Sequence, residues 1–177
     1  MNGALFYGVG MKSVKFLLFP VLALILSGCA GYRVGSTLPK SVRTVSLSII
    51  NKTDEPSIEV AVMKALRAEL QMDGRLEVRS QEVADAALTV TLTKFELSPL
   101  AFNRKQASRT EEYRMTLTAS VVLSDAETDK VILENPVVLG ESEFPYVVDL
   151  TSTKRAGLPQ AANDLARKAV STTVAAW

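Results

Sequence analysis

The chain contains a single cysteine, Cys29, whose thiol could act as a nucleophile or as a metal ligand. No histidine is present, and no Ser-x-x-Lys motif occurs, so a nucleophilic side chain would lack the usual base. One cysteine without histidine also excludes an internal disulfide and the common zinc sites. These residue types argue against an enzyme, and the sequence assigns no cofactor.

The charged side chains give no evidence for a metal site or for nucleic-acid binding. Asp85, Asp125, Asp129 and Asp149 lie in separate segments, where turn-forming residues in contact with water are the ordinary interpretation. The 20 Lys and Arg residues nearly balance the 19 Asp and Glu residues, and no basic run exceeds two residues. The clustered positive charge that contacts a phosphate backbone is therefore missing.

The segment before Cys29 indicates what its thiol does. Two lysines precede an uncharged apolar stretch, Phe16–Leu26, which is shorter than the about 20 residues that span a membrane. A stretch of this length is typical of a secretory signal peptide, which we assign to residues 1–28. Met11 is the expected start, because residues 1–10 carry no charged side chain.

Leu26-Ser27-Gly28-Cys29 resembles the bacterial lipobox. The resemblance implies that Cys29 becomes the first mature residue and is acylated on its thiol, as with palmitate, and on its new amino group. Several acyl chains anchor a protein stably. Ala30 stands where an Asp would signal retention in the inner membrane, which favours the outer membrane. The alternative is a free cysteine at the end of an uncleaved anchor.

The mature chain would depend on the lipid for its attachment to the membrane. Cleavage removes 28 residues and two lysines, which leaves 149 residues with 18 basic and 19 acidic side chains. A net charge of −1 offers no polybasic patch for anionic lipids. Residues 29–41 mix Gly, Ser and Pro and predict a lipidated N-terminus and tether, and residues 42–177 predict a single α+β domain.

The first half of this domain predicts a strand, a helix and two further strands. Alternating apolar residues predict a strand over 42–50, and helical spacing from Ile58 to Leu70 predicts an amphipathic helix that ends at Gly74. Residues 75–79 predict a short strand or a turn into one. Residues 88–97 predict a long strand whose phase shifts at Lys94, which indicates a bulge or a strong twist.

The second half predicts two more strands and a final helix. The clearest alternation covers residues 113–123, and a partner strand follows over 131–140, with Pro136 at an edge or a bulge. Gly157-Leu158-Pro159 predicts the start of a helix that runs to about residue 175. This helix is expected to bury Ala162, Leu165, Ala166, Ala169 and Val170.

This order of elements predicts an α+β fold with a mixed, mainly antiparallel four-stranded sheet and two helices packed on one face. The opposite face would be uncovered and rich in hydroxyl groups. It would be formed by Ser46, Ser48, Thr89, Thr91, Thr116, Thr118 and Ser120. Such a face is either an ordinary hydrated sheet surface, because threonine is a good strand former, or a docking surface.

Several short motifs, in this order, resemble the LptE family of lipopolysaccharide-assembly lipoproteins. They are Gly31-Tyr32-Arg33, Leu38-Pro39, Thr44-Val45-Ser46-Leu47 with Asn51-Lys52-Thr53, Ala84-Asp85-Ala86-Ala87-Leu88, and Thr110-Glu111-Glu112-Tyr113-Arg114-Met115. The resemblance implies a lipid-anchored protein on the periplasmic side of the outer membrane. Its sheet and helices would sit inside the barrel protein LptD as a plug, a folding partner and a lipopolysaccharide-binding subunit.

Binding of lipopolysaccharide would require basic side chains that can reach its phosphates. One candidate cluster, Arg104, Lys105 and Arg109, lies between the two long strands, and a second, Lys154 and Arg155, precedes the final helix. Two other functions are compatible with the sequence. One is an outer-membrane lipoprotein that serves as a periplasm-facing adapter or activator unrelated to lipopolysaccharide, and the other is a lipid carrier or degenerate enzyme.

Overall fold

The computed structural model describes residues 42–102, 110–146 and 149–175. These residues form five strands and two helices along the chain: β1 Thr44–Asn51, α1 Ile58–Asp73, β2 Glu77–Val78, β3 Ala86–Phe102, β4 Thr110–Asp125, β5 Val131–Pro145 and α2 Leu150–Ala175.

The strands form one mixed sheet in the order β2-β1-β3-β4-β5. Strand β1 runs parallel to both of its neighbours, whereas β3, β4 and β5 are antiparallel. The α+β class predicted from the sequence is confirmed. The sheet has five strands rather than four, because the predicted short strand near residues 75–79 pairs with β1 through only two residues.

Both irregularities predicted within the strands are present. The register between β3 and β4 shifts between Leu92 and Lys94, so the side chains after Lys94 change phase. In β5 the register shifts between Asn135 and Val138, on either side of Pro136, and β5 is an edge strand. Proline has no N–H group to donate to the ladder, and it is therefore tolerated at bulges and on edge strands, where that hydrogen bond is not required.

The core lies between the helices and one face of the sheet. The apolar stripe predicted for α1 is fully buried, and Gly74, with φ of 71°, ends this helix by donating its N–H to the Leu70 carbonyl at 3.0 Å. On α2 the predicted core residues are also buried, namely Ala162, Leu165, Ala166, Ala169 and Val170. These two stripes pack against the buried apolar side chains of the sheet, and burial of both surfaces stabilises the fold.

The start predicted for the second helix was wrong. Helix α2 begins at Leu150 and contains Pro159 in its interior. Asp149 caps it, because the Asp149 carboxylate accepts hydrogen bonds from the N–H and the hydroxyl of Ser152, both at 2.9 Å. Helix α2 packs closely against β5. At Gly140 of β5 an added β-carbon would overlap Ala161 and Leu165.

No helix among the described residues has both the length and the apolar character needed to cross a membrane.

Candidate functional site

Within the described ranges, no element covers the sheet face opposite the helices, and this face carries most of the predicted hydroxyl groups. Ser48 is exposed on this face, and the remaining predicted residues apart from Ser46 are half-buried: Thr89, Thr91, Thr116, Thr118 and Ser120. The prediction that Ser46 belongs to the open face was wrong. Ser46 is only 8% exposed, and its hydroxyl lies 3.4 Å from the Ala86 carbonyl oxygen. Burial beside the neighbouring strand removes it from the available surface.

Two ion pairs lie on this open sheet face, and Glu141 of β5 is exposed there without an ion pair to a described residue. Lys94 lies 2.8 Å from Glu96, and Arg114 lies 2.6 Å from Glu143 on the adjacent strand β5. The register also places Leu139 beside Thr118, and Leu139 is 42% exposed. The face is therefore polar and locally apolar, which suits contact with another protein surface.

The second predicted basic cluster lies in the first turns of α2, close to the start of α1. The Lys154 ammonium is 2.5 Å from a Glu55 carboxylate oxygen and 5.4 Å from the centre of the Phe95 ring. Both members of this ion pair are partly buried. Lys154 therefore has a structural partner, which the sequence analysis did not anticipate.

Arg155, next to Lys154, is exposed. Hydrogen bonds from the Ser152 N–H and hydroxyl lower the pKa of Asp149, and the Arg155 guanidinium contributes to this lowering. Arg155 is therefore the cation of this cluster that remains open to an anionic ligand.

A cavity of about 280 Å³ connects these groups. Its apolar lining comes from Ile58, Phe95, Met115 and Leu158, and Lys154 and Arg155 stand at its polar side together with Glu55. A site with an apolar floor and one exposed cation at its rim, Arg155, fits an amphiphile that carries negative charge.

The first predicted basic cluster and the predicted acylation site, Arg104, Lys105, Arg109 and Cys29, lie outside the described residues. Strands β3 and β4, which flank residues 103–109, are paired up to Phe102 and Thr110. Phe95, which lies beside Lys154, is seven residues before Phe102. The end of β3 at Phe102 is therefore about 23 Å from Phe95 along an extended strand.

The sequence analysis missed Glu55 and Phe95 as partners of Lys154. Glu55 and Lys154 are 99 positions apart, and no local pattern relates them. The start of α2 did have a usable signal, because Asp149 with Ser152 three residues later is typical of a helix N-terminus. Within the described ranges, no group of three or more potential metal-binding side chains is found.

These features define a class of protein: an α+β domain with an amphipathic cavity and one sheet face that no described element covers. The same fold occurs in solved structures of low sequence identity. A minor lipoprotein from Acinetobacter baumannii has a TM-score of 0.51 and 14% identity, with 76% of this chain and 94% of that chain covered. A candidate lipoprotein from Caulobacter crescentus has a TM-score of 0.50 and 13% identity, with 73% and 88% covered.

The family of the chain follows from its sequence. Residues 42–173 match the model of LptE, the lipopolysaccharide-assembly family, and the chain belongs to this family. Its members are non-enzymatic lipoproteins associated with the outer membrane. No curated protein sequence matches this chain.

Proposed function

We propose that this chain is the lipoprotein subunit of the outer-membrane complex that exports and assembles lipopolysaccharide. In this role it is the plug and folding partner of the LptD barrel, and it binds lipopolysaccharide. The family match over residues 42–173, which covers nearly all of the α+β domain, is the observation that supports this proposal.

The open sheet face supports the role of a barrel partner. A plug requires a surface that remains hydrated in part yet can form hydrogen bonds with an inner barrel wall. The half-buried threonines of β3 and β4 supply hydroxyl groups for such bonds, and two ion pairs lie beside them.

The cavity beside Arg155 supports binding of a charged amphiphile. Lipopolysaccharide combines phosphate groups with acyl chains, and the cavity combines cationic side chains with an apolar floor. Charge-assisted hydrogen bonds from arginine to phosphate are among the stronger polar contacts available to a protein.

Purification from outer membranes in detergent tests the barrel partnership. We expect a large barrel protein, identified as LptD by mass spectrometry, to co-purify with the chain. Photo-cross-linkers placed at Thr89, Thr116 and Thr118 are expected to reach residues of the inner barrel wall. Cross-links that reach only soluble periplasmic proteins would favour the adapter function instead.

A further inference from the structure

A groove lies along α1 beside Ile49 of β1. It encloses about 460 Å³, a volume within the range of pockets that bind small molecules. Its apolar lining comes from Ile49 and from Val60 and Met63 of α1. Val60 is 66% exposed, although valine is among the residues most often buried. The groove therefore leaves apolar surface in water, and a hydrocarbon chain that covered it would bind favourably.

Two cations, Lys64 and Arg67, line the same groove. They are three positions apart on α1, so their side chains are neighbours on the helix surface and repel each other. Both are exposed, and neither forms an ion pair with a residue in the described ranges. No acidic residue stands three or four positions from either of them. The other residues at these positions are Val60, Ala61, Met63, Ala68, Leu70 and Gln71.

The carboxylate that lines the groove, Glu59, has a different partner. It accepts a hydrogen bond from the side-chain amide of Asn51 at 3.0 Å. Glu59 is also five positions before Lys64, a spacing that does not bring two side chains together on a helix. The two cations are therefore not neutralised by the acidic residue of their own groove.

The apolar surface and the positive charge lie on the same side of α1. Val60 is four positions before Lys64, and Met63 is four positions before Arg67, so each cation adjoins an apolar side chain one turn away. A fitting ligand has a hydrocarbon chain and, at one end, a compact anion with enough charge for two cations. A phosphate monoester meets this requirement, because it carries about 1.5 to 2 negative charges at pH 7 and three acceptor oxygens.

We propose that the α1 groove binds a lipid whose head is a phosphate monoester. The phosphate contacts Lys64 and Arg67, and part of the hydrocarbon chain covers Ile49, Val60 and Met63. The groove shares no lining residue with the cavity beside Arg155. Binding here is therefore separate from the lipopolysaccharide binding proposed for that cavity.

NMR of labelled methionine methyl groups tests this proposal on the full mature chain in nanodiscs of zwitterionic lipid. A chain that begins at Cys29 has three methionines. Met63 lines the groove, Met115 lines the cavity beside Arg155, and Met72, which is 80% exposed, lines neither. The methyl signals thus report the two sites separately. Octyl phosphate, below its micelle concentration, should shift the Met63 signal saturably and leave the Met72 signal unchanged.

Three matched probes separate the chain from its charge. Octyl sulfate has the same chain with one negative charge, octyl glucoside has the chain without charge, and inorganic phosphate has the charge without the chain. We expect octyl phosphate to bind about two- to fivefold more tightly than octyl sulfate, since one additional exposed charge contact contributes a factor of this size. At the same concentrations, octyl glucoside and inorganic phosphate should give no saturable shift at Met63.

The double variant Lys64→Gln/Arg67→Gln should weaken octyl phosphate binding about four- to twentyfold, because two such contacts are lost. The control variant Arg79→Gln/Lys130→Gln removes the same charge at exposed positions outside the groove and should bind like the unmodified chain.

Several results would overturn the proposal. Undiminished binding by the Lys64→Gln/Arg67→Gln variant would do so, and so would equal affinity for octyl phosphate and either octyl sulfate or octyl glucoside. A saturable Met63 shift with inorganic phosphate would assign the groove to a free anion instead of a lipid. A shift at Met115 without one at Met63 would exclude the groove and support the cavity beside Arg155, so the two sites succeed or fail independently.

Discussion

Gly157 of α2 packs directly against the ring of Phe144 on β5, at a distance that leaves no space for a β-carbon. The helix can approach the strand here only because residue 157 has no side chain. Alanine normally stabilises a helix interior relative to glycine by about 0.5 to 1 kcal/mol. At residue 157 we expect alanine to destabilise the protein instead, because its β-carbon would overlap the Phe144 ring.

We expect Gly157→Ala to lower the free energy of unfolding by about 1 to 3 kcal/mol through overpacking against Phe144. In a Phe144→Ala background the same substitution should be neutral or stabilising, because the ring has been removed. Denaturant unfolding of the four proteins in this cycle measures the coupling. A stabilising effect in the unmodified chain would contradict the close packing.

The ion pair between Glu55 and Lys154 connects the starts of the two helices. Lys154→Met keeps most of the apolar stem but leaves a partly buried carboxylate unpaired, so we expect a loss of about 1 kcal/mol of stability. A double-mutant cycle with Glu55→Gln should show coupling that weakens as salt is added. The exposed pair Arg114 and Glu143 is the control and should show weaker coupling. Coupling that vanishes within error for Glu55 and Lys154 would contradict this role.

Asp85 should make stability depend on pH. Its carboxylate accepts hydrogen bonds from the hydroxyl and N–H of Thr44 and from the N–H of Arg43, and these bonds lower its pKa below the ordinary value of 3.8. A lowered pKa in the folded state means that the stabilisation is fully present above the ordinary pKa and is lost as the pH falls through the folded-state pKa.

Asp85→Asn should therefore be less stable than the unmodified chain at pH 7, and the difference should narrow as the pH falls below about 4. Thermal unfolding at a series of pH values measures this convergence. Asp54→Asn, at a position in the connection before α1, is the control. A difference that stays constant down to pH 2 would show that the charge of Asp85 contributes nothing.

The mature N-terminus should be an acylated Cys29. Mass spectrometry of the purified protein is expected to show cleavage after Gly28 and the added mass of acyl chains on Cys29. Cys29→Ala should retain the signal peptide and lose the added mass. An unmodified Cys29, or a chain that still begins at Met11, would contradict the lipoprotein prediction.

Arg155 should contribute to lipopolysaccharide binding without a large effect on folding. Arg155→Ser is expected to weaken binding about tenfold, the effect of losing one charge-assisted contact, and added salt should weaken binding by the unmodified chain. Further Ser substitutions at Arg104, Lys105 and Arg109 should weaken it more. Lys130→Ser, in the turn between β4 and β5, is the control, and thermal unfolding checks the fold. Unchanged binding would exclude the Arg155 cluster.

Local periodicity determined much of this fold. Strict alternation specified the long strands, and even the phase shift at Lys94 corresponds to an observed change of register. Helical spacing specified which side chains of α1 and α2 are buried. These features were predictable because one buried face imposes a fixed period on each element, whatever it packs against. The lipobox is a local pattern of the same kind.

Contacts between distant segments decided the rest. Pro159 predicted a helix start, but the cap at Asp149 and the close packing at Gly140 and Gly157 extend α2 by nine residues in the N-terminal direction. Only the folded chain pairs Lys154 with Glu55, 99 positions away. The folded chain also decides that β2 pairs through only two residues, which leaves most of the β1 edge without a partner on that side in the described chain. Such contacts depend on which surfaces the assembled sheet and helices bring together. No local period in the sequence encodes a contact between residues so far apart in the chain.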